Sequence, residues 1–281
     1  MESPKVSQML SPQLITVSPE EDISAVLQLM QQEKCSCVVI TTEDQKPHGI
    51  FTEHDLIHQL ARHQHQGMQG PIRLFAREAV VVNDTMHRND AFILMNDRQI
   101  SHLVVTNTDG LIVGVVCNKD FTDHFLHLPM AINLKVEQVM NQQVVTLNAK
   151  DNLQQALYQM DKAHISSIVV TEEGKAIGII SERDLVQLAL EHRRLAHIPL
   201  YDVMHAPVLS IDSDCLILTA LQRMEHHKVR RFIVSDAEQK ICGIITHHDI
   251  SRAIQMNYVD YLEAELKSRE AAFSTLKNQL K

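Results

Sequence analysis

Four aspartates occupy the same place in a short motif, which occurs at residues 49–55, 114–120, 178–184 and 243–249. Each motif is a glycine and two apolar residues, then Thr, Ser or Cys, then two polar residues and the aspartate. The apolar run predicts a strand, and the helical spacing of the residues that follow predicts that a helix begins there. Such a corner offers a carboxylate that accepts hydrogen bonds from hydroxyls, and helix N–H groups that bind anions.

The four motifs lie at a nearly fixed distance from one another along the chain. Their glycines are 65 (114 − 49), 64 (178 − 114) and 65 (243 − 178) residues apart, and the aspartates repeat these intervals. A fixed period of this kind indicates an internal structural repeat. We therefore interpret most of the chain as four equivalent units.

The motif also has a purely structural explanation. Thr or Ser followed three residues later by an acid is a capping box, which stabilises a helix start without any ligand. Two observations favour a binding function. Glutamate would serve as well in the cap, yet all four motifs carry aspartate, and Asp120 is retained where Cys117 replaces the capping hydroxyl. The sequence leaves both explanations open.

Each unit begins with a strand signal, such as residues 14–17 or 144–147, and continues as helix, strand, strand and helix. In the first unit we predict a helix with Ser18 as N-cap, Pro19 as its first residue and Glu21 completing a capping box. Apolar residues at i, i+3, i+4 and i+7 predict a buried face on the first helix of the units. A methionine closes each of these faces: Met30, Met95, Met160 and Met224.

A unit of about 50–60 residues is too small to bury a good core alone, so we expect the units to pair. The predicted fold is α+β, with four strand-helix-strand-strand-helix repeats in two modules and a C-terminal heptad helix. The predicted boundaries are residues 1–130 for the first module (repeats at about 6–62 and 72–128), 131–255 for the second (repeats at about 134–194 and 198–255) and 256–281 for the heptad helix.

The last stretch, residues 256–281, differs from the repeats. Its apolar residues follow heptad positions and alternate with charged ones, which predicts a coiled-coil or connector helix. We expect this helix to lead into a domain beyond residue 281. A helix folded back onto the last repeat is the alternative.

Composition argues against several classes of function. The 281 residues carry a net charge of −9, whereas nucleic-acid binding requires clustered Lys and Arg, so nucleic acid is not an expected partner. Five cysteines without a regular spacing indicate small core residues in a reducing compartment. No apolar run approaches the roughly 18 residues that span a bilayer, so we expect a cytoplasmic protein without a membrane partner.

The four repeats resemble cystathionine-β-synthase (CBS) domains, here as two tandem pairs, or Bateman modules, over about residues 6–252. The resemblance rests on the strand opening and on four Gly-apolar-apolar-Thr/Ser-x-x-Asp motifs at a fixed period, with a departure at Cys117. It implies a regulatory region that is not an enzyme, requires no cofactor, and binds an adenosine-type ligand (AMP, ADP, ATP or S-adenosylmethionine) between paired repeats. It also implies a homodimer and, by analogy with bacterial signalling proteins, an output domain such as the GGDEF type.

The resemblance further implies roles for individual residues. The motif aspartate would bind the ribose hydroxyls, the Thr or Ser would lie near the ribose or phosphate, and basic residues before the second strand would hold the phosphates. Repeat four is the best candidate site and repeat three the next. The implied ligand-binding residues are Thr246, Asp249, Arg230 and Arg231 in repeat four, Ser181, Arg183 and Asp184 in repeat three, and Thr52 and Asp55 in repeat one, with Val145 or Leu209 against the adenine.

The phosphate position is where the repeats differ most. Repeat four has Arg230 and Arg231, but the other repeats have the pairs 36–37 (Ser-Cys), 101–102 (Ser-His) and 166–167 (Ser-Ser). Adjacent arginines beside a strand also commonly serve only to solvate a surface. In repeat four, His247 and His248 can line the site, where we expect a protonated imidazole to help neutralise a phosphate.

Other constellations do not point to chemistry. His54 and His58 are four residues apart on a predicted helix, and His124 and His127 three apart, but no Cys or carboxylate at a suitable offset completes a metal site. No nucleophile–base set, Walker A loop or dinucleotide-binding glycine pattern is present, so we expect no catalysis. The alternative to a sensor is a dimerisation scaffold whose clefts bind no ligand.

Overall fold

The computed structural model describes residues 4–63, 68–125, 133–191, 195, 197–236, 238, 240–254 and 256. The predicted module boundary near residue 130 lies outside these residues. The predicted heptad helix also lies outside them, apart from Met256. Within the described part of the chain, no helix is long and apolar enough to cross a membrane.

The described residues form an α+β fold of four repeats, as the sequence predicts. Repeat one contains β1 (Thr16–Val17), α1 (Ile23–Glu33), β2 (Cys37–Thr41), β3 (Pro47–Thr52) and α2 (Glu53–His63). Repeat two contains β4 (Val81–Asn83), α3 (Arg88–Asp97), β5 (His102–Thr106), β6 (Ile112–Cys117) and α4 (Asn118–Phe125). Repeat three contains β7 (Thr146–Asn148), α5 (Leu153–Ala163), β8 (Ser167–Glu172), β9 (Lys175–Ser181) and α6 (Glu182–Glu191). After a short helix α7 (Leu200–Val203), repeat four contains β10 (Ser210–Asp212), α8 (Ile217–His227), β11 (Arg231–Ser235) and β12 (Ile241–Thr246), and residues 247–254 are helical.

Each repeat has one three-stranded sheet. Its first two strands are parallel, because α1, α3, α5 or α8 crosses between them, and its last two form an antiparallel hairpin. The hairpin of repeat three turns at Glu173 and Gly174, both with positive φ, as a two-residue type I′ turn requires. The four methionines that close the predicted helix faces are all buried, so the predicted register of these helices is confirmed.

The predicted start of the first helix is wrong. Helix α1 begins at Ile23, and its N-cap is Asp22, whose carboxylate accepts a hydrogen bond from Ser24 N at 2.9 Å. Ser18 instead closes a turn before the helix, since its carbonyl accepts from Glu21 N at 3.1 Å. A contact distant in sequence selects Asp22: Ile23 N donates to the carbonyl of Gly70 at 3.0 Å.

The segments that precede the repeats are exchanged between neighbours. We call residues 4–11, 70–77, 134–141 and 198–205 the lead segments. Each lies in sequence before one repeat but hydrogen-bonds the other repeat of its pair, at 2.8–2.9 Å: Val6 N to Met86 O, Ile72 N to Glu21 O, Val136 N to Cys215 O and Leu200 N to Asp151 O. Repeats one and two therefore complete each other, and so do repeats three and four.

The motif glycine makes this exchange possible. A β-carbon at Gly178 would overlap the side chain of Met204, and one at Gly114 would come within 2.9 Å of Leu10 Cδ2. Real β-carbons do not approach neighbours this closely, so only glycine lets the lead segment lie directly on the third strand of its partner repeat. The glycine of the motif is thus explained by packing.

Packing also joins the two pairs to each other. Helix α2 packs against α5 and α6, and α1 packs against α6. One buried core accordingly combines repeats one and three, and another combines repeats two and four. A small third core, formed by Val39, Ile50, Val104 and Val115, joins the sheets of repeats one and two. The contacts of the lead segments within each pair and the helix packing between the pairs together position the four strand-to-helix corners.

Candidate functional sites at the strand-to-helix corners

In all four motifs, one oxygen of the aspartate caps the following helix. Oδ2 accepts a hydrogen bond from the backbone N–H three residues earlier at 2.7–2.9 Å. In repeats one, three and four it also accepts from the hydroxyl of Thr52, Ser181 or Thr246 at 2.6–2.7 Å. The capping geometry expected from the structural explanation is present. Because the cap uses Oδ2, the other carboxylate oxygen, Oδ1, remains available to a second partner.

The partner of Oδ1 comes from a lead segment in three of the repeats. Arg77 Nε lies 3.2 Å from Oδ1 of Asp55 in repeat one. In repeat three His205 Nε2 lies 2.8 Å from Oδ1 of Asp184. In repeat two the contact is a longer hydrogen bond of 3.4 Å, which Ser11 Oγ donates to Asp120.

Repeat four is different. Asn141 occupies the equivalent lead position, but its side-chain oxygen accepts a hydrogen bond from Gln143 N at 2.9 Å. No side chain among the described residues pairs with Oδ1 of Asp249. Within the described part of the chain, the carboxylate of repeat four is therefore capped on Oδ2 and has no side-chain partner on Oδ1.

Sequence reasoning missed these four lead-segment residues. They are Ser11, Arg77, Asn141 and His205, at intervals of 66 (77 − 11), 64 (141 − 77) and 64 (205 − 141). The same period that revealed the motif could have found them. Their role was not visible because each acts on the partner repeat and not on its own.

The two arginines at the start of β11 lie across from the repeat-four motif, but their side chains contact other repeats. Arg231 pairs with Thr246 in the β11–β12 register, and His247 N donates to the carbonyl of Arg230 at 3.1 Å. The guanidinium of Arg231 donates from Nη1 to the carbonyl of Ser166 at 2.6 Å and to its hydroxyl at 3.0 Å. Arg231 is thus shared between repeats four and three.

Arg231 is the most buried of the basic groups here. Burial lowers the pKa of its guanidinium, and the carboxylates of Glu182 and Asp184 act in the opposite direction. Both acids belong to the motif of repeat three. The charge of Arg231 therefore lies in the electrostatic environment of the repeat-three site as well as beside Thr246.

Arg230 reaches across to the other pair of repeats. Its Nη1 lies 3.1 Å from Oε2 of Glu53, and Arg183 Nε lies 3.6 Å from Oε1 of the same carboxylate. Glu53 belongs to repeat one and is only 4% exposed. Burial raises the pKa of Glu53, while Arg230 and Arg183 act to lower it. We call Glu53, Arg183, Arg230 and Arg231 the central cluster.

The equivalent position in the first pair of repeats is uncharged. Ser36 Oγ and His102 Nε2 are 2.8 Å apart, in the same relation as Ser166 and Arg231 in the second pair. Burial, reinforced by the positive charge of Arg230, lowers the pKa of His102 to about 3. The imidazole is therefore neutral at pH 7.

The expectation of a protonated imidazole in repeat four is wrong for His247. Burial lowers its pKa to about 4, and the positive charges of Lys119 and Arg230 act in the same direction. Burial also lowers the pKa of His248, whose Nδ1 lies 2.9 Å from Nδ2 of Asn118. Positive charge near the repeat-four motif therefore comes from Lys119 and Arg230.

The two residues expected beside an adenine precede the first strands of repeats three and four. The carbonyl of Val145 accepts a hydrogen bond from Val169 N at 3.2 Å, and that of Leu209 from Ile233 N at 3.1 Å. Both side chains are partly buried against the cores of their repeats. An adenine contact at either residue stays a prediction.

The histidine pair on α2 holds helices together. His54 Nδ1 lies 3.2 Å from Oε1 of Glu182, and His58 Nδ1 lies 2.8 Å from Oδ1 of Asp161. The hydrogen bond with Glu182 raises the pKa of His54. Among the described residues, no group of three or more His, Cys, Asp or Glu side chains is arranged to hold a metal ion.

Comparison with known proteins gives the same repeat. The CBS domain family model matches residues 6–62, 73–127, 136–191 and 200–256. The crystal structure of MJ1225 from Methanocaldococcus jannaschii, described as a proposed archaeal homologue of g-AMPK, superposes with a TM-score of 0.80 at 17% identity over 89% of this chain and 99% of that one. A conserved protein from Pyrococcus horikoshii superposes with a TM-score of 0.62 at 15% identity, with coverage of 89% and 99%.

A curated relative is longer than this chain. MJ1404 of Methanocaldococcus jannaschii is 22% identical in an alignment of 265 residues that covers 89% of this chain but 61% of that protein. The family model covers most of the chain in four consecutive matches, and the fold is shared with MJ1225 over 89% of this chain. The chain therefore belongs to the CBS domain family and contains four tandem CBS domains.

Proposed function

We propose that this chain is a regulatory module that binds an adenosine-type ligand, such as AMP, ADP, ATP or S-adenosylmethionine, at the corner formed by Thr246 and Asp249. One observation carries the proposal. The Asp249 carboxylate uses one oxygen to cap its helix and has no described partner for the other, while Arg230 and Arg231 lie across the hairpin. The remaining oxygen can accept hydrogen bonds from a ribose diol.

The phosphate side of the ligand has matching groups. The helix that starts after Thr246 presents N–H groups and the positive end of its dipole. A guanidinium binds a phosphate through two parallel hydrogen bonds, and Arg230 is near enough to the motif for its charge to act on His247. Repeat three, with Ser181, Arg183 and Asp184 beside the shared Arg231, is the second candidate.

Binding would change a contact between the two pairs of repeats. Arg230 of repeat four is held by Glu53 of repeat one, and a phosphate would compete with that carboxylate for the guanidinium. The ligand would thereby alter how the two pairs attach to each other, which is what a sensor requires. Transmission through residues 256–281, a homodimer and an output domain such as the GGDEF type belong to the same proposal.

The competing function is a scaffold without ligand. It is favoured by the contacts that already pair Asp55 with Arg77, Asp184 with His205, and Glu53 with Arg183 and Arg230. A scaffold would gain no stability from any nucleotide, so the two functions make opposite predictions.

The test is a thermal-shift screen with AMP, ADP, ATP, S-adenosylmethionine and cyclic dinucleotides. A ligand present at 100 times its dissociation constant adds about 2.7 kcal/mol to the stability of the folded state. We expect at least one adenosine compound to raise the melting temperature, and Asp249→Asn to remove the shift. Asp214→Asn, at an exposed aspartate of the same repeat, is the matched control. No shift with any compound would refute the sensor and leave the scaffold.

A further inference from the structure

We propose that the lead-segment residue beside each motif aspartate decides which of the four corners admits a nucleotide. This inference rests on the proposed function and assigns its selectivity to residues outside the motif. Arg77 and His205 close repeats one and three, Ser11 restricts repeat two, and Asn141 leaves repeat four open. The basis is the contrast at Oδ1 among four corners in which Oδ2 of the aspartate caps its helix in the same way.

One backbone hydrogen bond is the same at all four corners. The N–H of each lead-segment residue donates to a carbonyl on the third strand of the partner repeat at 2.8–3.1 Å: Ser11 to Val115, Arg77 to Ile50, Asn141 to Ile244 and His205 to Ile179. Arg77, Asn141 and His205 also form β-bridges with these strand residues. The shared hydrogen bond holds each lead residue beside the motif. The difference at Oδ1 therefore comes from the side chain and not from the path of the chain.

Repeat one is closed most firmly. Both oxygens of Asp55 are occupied, Oδ2 by its cap and Oδ1 by Arg77 Nε at 3.2 Å. The Asp55 side chain is 14% exposed, so a ribose would have to displace a guanidinium from a largely buried carboxylate. Such a pair is costly to break, because it leaves a buried charge without its partner.

Repeat three is closed by a weaker group. His205 Nε2 lies 2.8 Å from Oδ1 of Asp184, but the His205 side chain is 74% exposed. The Arg77 side chain is 40% exposed, so the more exposed imidazole of His205 can rotate into solvent at lower cost. This corner should therefore open before that of repeat one.

Repeat two has two obstacles. Ser11 donates a hydrogen bond of 3.4 Å to Asp120, and Cys117 supplies no motif hydroxyl. Substitution of Ser11 alone would therefore not create a binding site, because the motif hydroxyl would still be missing.

In repeat four the lead residue turns away from the aspartate. Asn141 uses its side-chain oxygen to accept from Gln143 N, two residues on in its own segment. A short side chain with a local partner cannot compete for Oδ1 of Asp249, whereas an arginine at the same position can. The exchange of Asn and Arg between positions 77 and 141 is thus the direct test.

The experiment is isothermal titration calorimetry of the whole chain with AMP, ATP and S-adenosylmethionine, each as a separate probe. Wild type should bind one equivalent, and Arg77→Asn should bind two. Asp55→Asn in the Arg77→Asn background should remove the added site and keep the original one. Asn141→Arg should weaken the original site by about tenfold or more, since a hydrogen bond to a charged acceptor is lost.

The outcomes separate the inference from the proposed function. A wild-type site that Asp249→Asn removes, together with an unchanged stoichiometry in Arg77→Asn, overturns the inference and leaves the function. Unchanged affinity in Asn141→Arg overturns it as well. No binding of any probe to wild type or to Arg77→Asn overturns both.

Discussion

The two pairs of repeats share one backbone plan and differ in charge where their repeats meet. In the first pair, Ser36 contacts His102, whose burial keeps it neutral. In the second pair, Ser166 contacts Arg231 at the equivalent place, and Arg230 extends the positive charge to Glu53. The comparison teaches that one backbone plan carries a neutral contact in one pair and a positively charged one in the other, and that one or two side chains make the difference.

The largest expected effect comes from giving the first pair the charge of the second. His102→Arg would bury a guanidinium whose neighbours include Arg230 and Arg77, both positive. We expect a loss of about 3 kcal/mol in the free energy of unfolding, because a buried charge lacks a partner. Urea unfolding measures it, with Arg98→His on an exposed helix end as control. Equal stability of variant and wild type would mean that the first pair tolerates charge.

The pH dependence of stability provides a second comparison. The pKa of His102 is lowered in the folded state, so this group favours folding above about pH 6.5 and loses that contribution as the pH falls toward its folded value of about 3. Between pH 6.5 and 5 the loss is at most about 2 kcal/mol for one histidine. His102→Asn should flatten the curve by that amount in urea unfolding at the two pH values.

His54 is a control for the direction of the pH effect, because its pKa shifts in the opposite direction to that of His102. Its pKa is raised by the hydrogen bond with Glu182, so its contribution is present below about pH 6.5 and is lost as the pH rises through its higher folded value. His54→Gln should therefore cost stability at pH 5 and little at pH 8.5. A His102→Asn curve that moves in the same direction as that of His54→Gln would contradict the burial argument.

The reverse substitution makes the second pair resemble the first. Arg231→His removes the guanidinium shared by repeats three and four and should weaken ATP binding by about tenfold, because one charge-assisted hydrogen bond to phosphate is lost. Calorimetric titration with ATP measures it, with the exposed Arg252→His as control. If the affinity for adenosine falls as far as that for ATP, Arg231 acts on the fold and not on the phosphate.

The smallest effect concerns the motif of repeat two. Cys117→Ser would supply the hydroxyl that the other three motifs use to donate to the aspartate. We expect a gain of about 0.5–1 kcal/mol in the free energy of unfolding, the contribution of one hydrogen bond. The thermal melting point is the measurement. A melting point that stays the same or falls would show that the thiol already fits its partly buried site better than a hydroxyl.

The features that the sequence predicted are those that depend on local patterns. The buried helix faces ending at Met30 and Met160 and the helix cap formed by Asp249 follow from spacing within one repeat. They could be predicted because each needs only its own segment. One motif alone would have been weak evidence for a repeat, but the same pattern in four places made the prediction of the fold secure.

The features that it did not predict depend on a second segment. Ser18 and Asp22 are both acceptable N-caps, and the bridge between Asp22 and Pro71 decides between them. Arg231 lies at the start of the second strand of its repeat, as predicted, but its guanidinium donates a hydrogen bond to Ser166 of another repeat. His247 is neutral because neighbouring elements bury it, which no local pattern reveals.

The exchanged lead segments have a consequence for how such a chain can change its length. The lead segment that precedes a repeat in the sequence packs on the other repeat of the pair. Val6 contacts repeat two in this way, and Ile72 contacts repeat one. Loss of a single period of the sequence would leave one repeat uncovered and one lead segment without a surface to cover. Loss or duplication of two consecutive periods would keep every repeat covered. A chain built in this way can gain or lose repeats only in pairs.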